Sequence, residues 1–328
     1  MRAVYIADFG TTDHLESRDI PEPPRPQHTQ VLVHVRAAGL NRADLLQVRG
    51  GYPPPAGYSL NLPGLEFAGE VVSIGEHVKA WSIGDRVFGI TAGEAQSEFL
   101  LTDETLLARI PDGLDFTEAA AVPEAFITAH DAIFTLGNLR QGELLLIHAV
   151  GSGVGLAVLQ LAKTAGATVI GTSRTADKLE RCREFGLDAA IATGNGANFS
   201  EKIAEITGGK GVNVILDLVG AAYFYENLSS LAVKGRLILV GLTSGRTAEF
   251  NLGLALVKRL TITGTVLRGR PASEKAEATR KFADEVVPLL AAGVIRPNVD
   301  RAFVIGDVVA AYKYLESNES FGKVILEF

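Results

Sequence analysis

The sequence predicts a mixed α/β chain of two domains, one β-rich and one a doubly wound parallel sheet. Three observations predict it. Residues 1–120 carry short strand-prone runs separated by Gly and Pro clusters. Residues 121–266 alternate strand-like and helix-like runs. At 328 residues the chain is also long for a single core. Residues 267–328 return to mixed character; too short to stand alone, they are expected to complete the first domain.

In chain order, Met1-Arg2-Ala3-Val4-Tyr5 begins as a strand and not as a signal peptide. Val31 to Arg36 partly alternates, Glu70 to Ile74 ends at Gly75, and Arg86 to Ile90 and Glu98 to Leu101 follow. That spacing suits a compact barrel or sandwich. Asn41 to Val48 predicts a short helix, and Gly50-Gly51-Tyr52-Pro53-Pro54-Pro55 a stiff, exposed loop. The Ala-rich run Phe116 to Leu136 predicts a helix leading into the second domain.

The stretch from Glu143 to Ala165 organises that domain. Leu144 to Ile147 is a short apolar run, as a parallel strand buried on both faces should be. Gly151, Ser152, Gly153 and Gly155 then make a turn without bulky side chains, and from Val154 the apolar spacing is helical. Strand, tight turn and helix bring several free N–H groups and the positive end of a helix dipole to one point. In a βαβ unit the anion held there is usually a dinucleotide pyrophosphate. The strict G-x-G-x-x-G pattern would need glycine at Val150 and Ser152, and has neither.

Further strands are expected at Thr168 to Gly171, Ala189 to Ile191, Val212 to Leu216, Arg236 to Val240 and Leu260 to Thr265. Helices fall between them, stopping at Gly166, Gly186 and Gly208. The return segment predicts helices near 273–291 and 306–316 and strands at Ala302 to Val304 and Lys323 to Leu326.

Composition excludes several classes. A formal charge of −7 without a basic run argues against nucleic-acid binding. The lone Cys182 rules out a disulfide framework or a Cys-rich zinc site. No apolar run is long enough to span a membrane, so the plain reading is a soluble cytoplasmic protein.

The second strand of the parallel sheet runs out as Gly171-Thr172-Ser173-Arg174, with Lys178 four residues on. NAD-binding sheets place an acidic residue at this strand end to hold the ribose 2′-OH; a 2′-phosphate calls for Arg. Arg174 and Lys178, with Ser173 as a hydrogen-bond donor, therefore select NADPH over NADH. The alternative is a solvated helix start with incidental charges. The histidines (His14, His28, His34, His77, His130, His148) form no ligand pair at useful spacing, so no zinc site is expected. His148, beside the turn, reads as a hydrogen-bonded strand-end imidazole or as a proton donor. Without metal or a Ser-His-Asp set, catalysis rests on holding nicotinamide C4 against an electron-poor acceptor, a quinone or a conjugated enone.

Gly39-Leu40-Asn41-Arg42-Ala43-Asp44, Pro63-Gly64-Leu65-Glu66-Phe67-Ala68-Gly69, Ile83-Gly84-Asp85-Arg86-Val87, His148 to Gly155 and Phe321-Gly322-Lys323-Val324 together resemble the medium-chain dehydrogenase/reductase superfamily. They are most similar to its zinc-independent quinone oxidoreductases related to zeta-crystallin. The resemblance implies a Rossmann sheet and a GroES-like catalytic domain. It also implies that Asn41 stands where zinc-dependent relatives carry a cysteine ligand, and Leu65 where they carry a histidine. Asn41 would lie near the nicotinamide or would merely cap the following helix; Glu66 would keep a structural role. Tyr52 would hydrogen-bond a quinone oxygen or serve loop packing. Thr128 would contact the nicotinamide end, the turn Gly151-Ser152-Gly153-Val154 the pyrophosphate, and Gly241, Leu242, Val266 and Leu267 the nicotinamide pocket. Thr193 stands where relatives often stack a tyrosine near the adenosine.

Three functions follow as expectations: an NADPH-dependent quinone reductase, a reductase of conjugated enones, enals or enoyl thioesters, or a non-enzymatic NADPH-binding protein of crystallin-like or RNA-binding role. The family likeness implies a homodimer, with the β-prone stretch Leu252 to Val266 pairing across a two-fold axis.

Overall fold

The computed structural model describes residues 1–194 and 196–328. By contacts the chain divides into two units, residues 1–127 with 267–328, and residues 128–266. The division falls seven residues beyond the 120/121 boundary read from sequence, inside the helix Pro123–His130.

Strands are numbered in chain order: β1 Arg2–Ile6, β2 Leu15–Asp19, β3 Gln30–Leu40, β4 Glu66–Ile74, β5 Arg86–Ile90, β6 Phe99–Asp103 and β7 Leu107–Arg109. The second unit holds β8 Leu144–Ile147, β9 Thr168–Ser173, β10 Ala189–Ala192, β11 Val212–Asp217, β12 Leu231–Leu239 and β13 Thr261–Gly264. Strands β14 Val299–Val304 and β15 Lys323–Glu327 belong to the return segment.

The first unit is a seven-stranded sheet in the order β14-β15-β3-β4-β5-β7, with β6 also paired to β3. A separate β1–β2 hairpin completes it. Strand β3 alternates buried and half-buried residues along its first half and is buried along its last four. Its inward residues Val31, Val33 and Val35 pack with Phe67, Val71, Val87 and Leu100. A second cluster joins Leu40 and Leu45 to Tyr312 and Val324. Strand β15 lies antiparallel to β3, with Val324 opposite Leu40, so the late strand is stitched beside the early one.

The second unit is an all-parallel sheet in the order β10-β9-β8-β11-β12-β13. With β8 as the first strand this is the 3-2-1-4-5-6 Rossmann order, which places a ligand crevice outside the carboxyl ends of the strands next to the first. Leu146, Ile170, Ile215 and Leu237 from four of its strands pack with Phe199 and Leu228.

Four sequence expectations are revised. The run Phe116 to Leu136 is three pieces, Phe116–Ala119, Pro123–His130 and a wide-turned helix Asp131–Leu136. Pro123 has no N–H to continue a helix and starts a new one. The helix near 273–291 divides into Ala272–Glu285 and Val287–Ala291, with Pro288 at the second start. Strands β2 and β7 escaped sequence reading. The stretch Leu252 to Val266 is mostly not β: Leu252–Lys258 is a helix, and only Thr261–Gly264 pairs, with β12. Asn251 caps that helix through the Leu254 N–H, Arg259 ends it at φ 52°, and the Lys258 ammonium donates to the carbonyls of Leu228, Ser229 and Leu231. The cation ties this helix to the carbonyl end of the helix Phe224–Ser230, and that anchoring outweighs the β-prone composition. Among the described residues no helix is long and apolar enough to cross a membrane.

Candidate functional site

In the second unit the turn after β8 is tight. Ala149 sits at φ 51°, and the Ser152 N–H donates to its carbonyl at 2.9 Å. Ser152 caps the helix Gly153–Thr164, its hydroxyl accepting the Gly155 N–H at 3.1 Å. A Cβ on Gly155 would lie 2.6 Å from the carbonyl oxygens of both Ala149 and Val150, so only glycine lets the helix approach the turn this closely. The remaining first-turn N–H groups have no carbonyl of their own helix to bond, the state in which a helix start takes an anion. Val150 is the unusual residue here. It is fully buried, and a Cβ on Gly171 of β9 would meet its Cγ1 at 2.7 Å. The space for the larger side chain comes from the neighbouring strand.

Strand β9 ends at Ser173, half-buried, followed by exposed Arg174 and partly buried Lys178 in the first turn of the helix Ala176–Cys182. Thr193 follows β10. Its N–H donates to the Ser173 carbonyl at 3.0 Å, and its hydroxyl accepts from the Tyr223 hydroxyl at 2.9 Å. Tyr223 was missed from sequence, yet it brings an aromatic ring to the place where relatives were expected to carry one at Thr193 itself.

His148 is fully buried, with Nδ1 2.9 Å from the Thr172 hydroxyl and Nε2 2.6 Å from Asn227 Oδ1. Its ring lies 4.8 Å from those of Phe199 and Tyr223. Burial holds its pKa below the ordinary value, and the structure favours the hydrogen-bonded imidazole over the proton donor. Asn227 also donates to Asp217 at 3.0 Å, whose other oxygen takes the N–H groups of Val219 and Gly220. Gly241 follows β12 and donates to the Asp217 carbonyl at 3.1 Å; Leu242 beside it and Val266 beyond β13 are about half exposed. Thr128 is buried in the helix Pro123–His130. Leu267, also buried, falls in the first unit, across the division from Val266.

In the first unit Asn41, Glu66 and Lys323 form a closed knot. Asn41 Nδ2 donates to Glu66 Oε1 at 2.8 Å, and Lys323 Nζ donates to Asn41 Oδ1 at 2.7 Å, to the Leu40 carbonyl at 2.8 Å and to Glu66 Oε1. Glu66 Oε2 accepts the Glu124 N–H at 2.8 Å. Glu66 is fully buried and Lys323 nearly so, and such a charge pair is stable only when every remaining donor and acceptor is used, as here. Asn41 occupies the N-cap position of the helix Arg42–Val48 in a capping box with Asp44, its N–H donating to Asp44 Oδ2 at 2.8 Å and its carbonyl accepting the Asp44 N–H at 3.0 Å, while its side-chain N–H goes to the knot. Gly39 makes room: a Cβ there would meet Glu66 Oε1 at 2.4 Å.

Tyr52 lies in the loop as expected, half-buried, its ring 5.0 Å from the Arg268 guanidinium carbon. Its hydroxyl bonds no described residue. Arg268, buried and missed from sequence, fixes the loop by donating to the Tyr52 carbonyl at 2.8 Å, the Ala92 carbonyl at 2.7 Å and the Gln47 amide oxygen.

Two further acids complete this region. Asp44 is fully buried, with Oδ1 unpartnered, and burial pushes its carboxyl up to about 6. Glu124, partly exposed, is pushed up to about 8 by burial and by the Glu66 charge. The fold does bring two histidines together, against the sequence reading: the exposed rings of His28 and His77 stack at 5.4 Å beside Glu76. Among the described residues this is the one His/Cys/Asp/Glu trio close enough to hold a metal, and it includes none of the residues around Asn41.

Comparison with known proteins agrees with both units. Residues 27–131 match the alcohol dehydrogenase GroES-like domain, and residues 153–284 the family described as zinc-binding dehydrogenase. The chain is 33% identical to a quinone oxidoreductase of Pseudomonas aeruginosa over 330 residues, covering 99% of each protein. It is 37% identical over 327 residues to erythronolide synthase EryA2 of Saccharopolyspora erythraea, but spans only 8% of that protein. Among solved structures, a mycobacterial protein complexed with NADPH superposes with a TM-score of 0.91 at 30% identity, covering all of both chains. The CurK enoyl reductase does so with a TM-score of 0.88 at 26% identity, over 99% of this chain and 98% of that one. With a Rossmann sheet, a GroES-like unit and a full-length relative of this similarity, the chain belongs to the medium-chain dehydrogenase/reductase superfamily, among its quinone oxidoreductases.

Proposed function

We propose that the chain is an NADPH-dependent reductase of quinones that works without a metal, as a cytoplasmic homodimer with no nucleic-acid partner. The observation that carries the cofactor choice is the end of β9, where Ser173 is followed by exposed Arg174 and by Lys178. Arg174 and Lys178 would hold the 2′-phosphate, with Ser173 as hydrogen-bond donor. The Gly151-Ser152-Gly153-Val154 turn would take the pyrophosphate, and Tyr223 with Thr193 the adenosine side. Gly241, Leu242, Val266, Leu267 and Thr128 would surround the nicotinamide. The bound dinucleotide supplies the hydride. Asn41 and Tyr52 would face the acceptor, Tyr52 with a hydroxyl that bonds no described residue.

The donor set around Asn41 supports the metal-free reading. An amide and an ammonium hold the position, and the Lys323 cation would repel a divalent ion. Likeness to the CurK enoyl reductase favours a second reading, in which the acceptor is a conjugated enone, enal or enoyl thioester.

Calorimetric titration with NADPH and NADH tests the cofactor choice; equal affinities would overturn it. Steady-state NADPH oxidation with a benzoquinone, a 2-enal and an enoyl thioester, side by side, separates the acceptor classes. NADPH binding with no turnover across that panel would leave a non-enzymatic binding protein.

A further inference from the structure

Reducing a quinone or a conjugated carbonyl takes a proton as well as a hydride. The charged and titratable groups at and around Glu124, two of which also act on Tyr52, differ in their freedom to give one. Lys323 has all three N–H bonds committed, to Leu40, Asn41 and Glu66. Arg268 donates to Ala92, Tyr52 and Gln47, and a guanidinium does not deprotonate in a protein. Glu66 is sealed by Asn41, Lys323 and the Glu124 N–H, with no exposure. Asp44 has no exposure either, its Oδ2 held between the Asn41 N–H and Gln96, which in turn accepts from Tyr312, and its Oδ1 enclosed away from solvent. Lys275, buried on the helix Ala272–Glu285, faces Glu124 as a positive charge.

Glu124 stands apart. It is partly exposed, its main chain is pinned by the 2.8 Å bond to Glu66, and its carboxyl accepts no hydrogen bond from any described residue. It lies within electrostatic reach of Tyr52, of Arg268 and of Lys275. A carboxyl that is fixed at its root and unpartnered at its tip can meet a proton acceptor without first breaking a bond to the protein.

We infer that Glu124 is the proton donor to the reduced acceptor, an inference that rests on the reductase reading and deepens it. Having gained the hydride and its two electrons, the acceptor carries negative charge on oxygen. The O–H bond of Glu124 breaks, an O–H bond forms on that oxygen, and the electron pair stays on the carboxylate. Water then reprotonates Glu124. Held up at about 8, its carboxyl is protonated at neutral pH, and the carboxylate left after transfer is basic enough to regain a proton from solvent.

Glu124→Gln keeps the shape and removes the proton. With a benzoquinone its kcat/KM is expected to fall by about 10²-fold or more, and the alkaline limb of the wild-type pH profile, near pH 8, to disappear. NADPH affinity should be unchanged, and Glu124→Asp should restore part of the rate. Apart from turnover, infrared titration of the cofactor-free wild type should show a carboxylic-acid carbonyl band lost near pH 8 and missing from the Gln variant. A Gln variant with the wild-type rate and profile, or a wild type without that band, overturns the assignment. Wild-type protein that reduces no acceptor overturns the reductase reading instead, and the assignment with it. Should Glu124→Gln not fold, the wild-type infrared titration decides alone.

Discussion

Asn41 donates its side-chain N–H to Glu66 Oε1, 2.8 Å away, while its backbone N–H and carbonyl hold the start of the helix it precedes. The residue read from sequence as either a site residue or a cap is thus part of a buried polar knot whose third member, Lys323, comes from the far end of the chain. That arrangement fixes the Asn41 amide at both ends and makes Lys323 the member whose loss is felt most.

Lys323→Met should destabilise the protein by about 3–5 kcal/mol, since it leaves the fully buried Glu66 without its cation. Urea unfolding would measure this. Adding Glu66→Gln to the same protein should recover much of the loss; no recovery would mean that the cost is one of packing and not of charge.

Asp44 gives stability a defined pH dependence. Its folded carboxyl is pushed up to about 6 from 3.8, so the native state binds the proton more readily than the unfolded chain. The unfavourable contribution is fully present above about pH 6 and is relieved as pH falls toward 4. Asp44→Asn should therefore stabilise the protein above pH 6 by at most about 3 kcal/mol, with little effect near pH 4. Chemical denaturation across that range would show the two curves converging at the acid end.

Arg174→Ala should raise the NADPH dissociation constant by about 10–100-fold and leave that for NADH unchanged, as expected for a charged hydrogen bond made to the 2′-phosphate alone. Calorimetry with both cofactors reads it. An equal loss for both would relocate Arg174 from the ribose to a general structural role.

Gly155→Ala should cost about 1–3 kcal/mol and weaken NADPH binding, because the added carbon meets two backbone carbonyls 2.6 Å away that no rotamer change can move. Thermal melts with and without NADPH separate the two effects.

The proposed homodimer has a surface to test. Leu252, Leu256 and Val257 are 70%, 77% and 74% exposed on the helix Leu252–Lys258, which leads into the edge strand β13. Leu256→Glu should shift sedimentation at micromolar concentration from dimer to monomer. A wild-type protein that already sediments as a monomer there would remove the dimer.

Local pattern carried most of this architecture. The apolar run Leu144 to Ile147, the glycines after it and the helical spacing from Val154 placed β8, the turn and its helix. Gly166, Gly186 and Gly208 marked real helix ends, the last two at φ 92° and 59°. What stayed hidden depends on partners distant in sequence. Val150 looked like a misfit until Gly171 supplied its space. Arg268 and Lys323 showed nothing locally of the carbonyls and carboxylate they would reach, 216 and 257 residues away. Leu252 to Lys258 read as β-prone because composition is blind to a lysine folded back onto the carbonyls of Leu228, Ser229 and Leu231.

The discontinuity of the first unit bears on how the chain is made. Its central strand β3 borders β15, whose residues are synthesised almost three hundred positions later, while the whole parallel sheet lies between them. During translation, the Rossmann unit can complete its hydrogen-bonded sheet first, and while β6 covers Gln30 to His34 of β3, the stretch Ala37 to Leu40 must wait with an unpaired edge until the late strand emerges. Aggregation of stalled or truncated nascent chains is therefore expected to begin at β3.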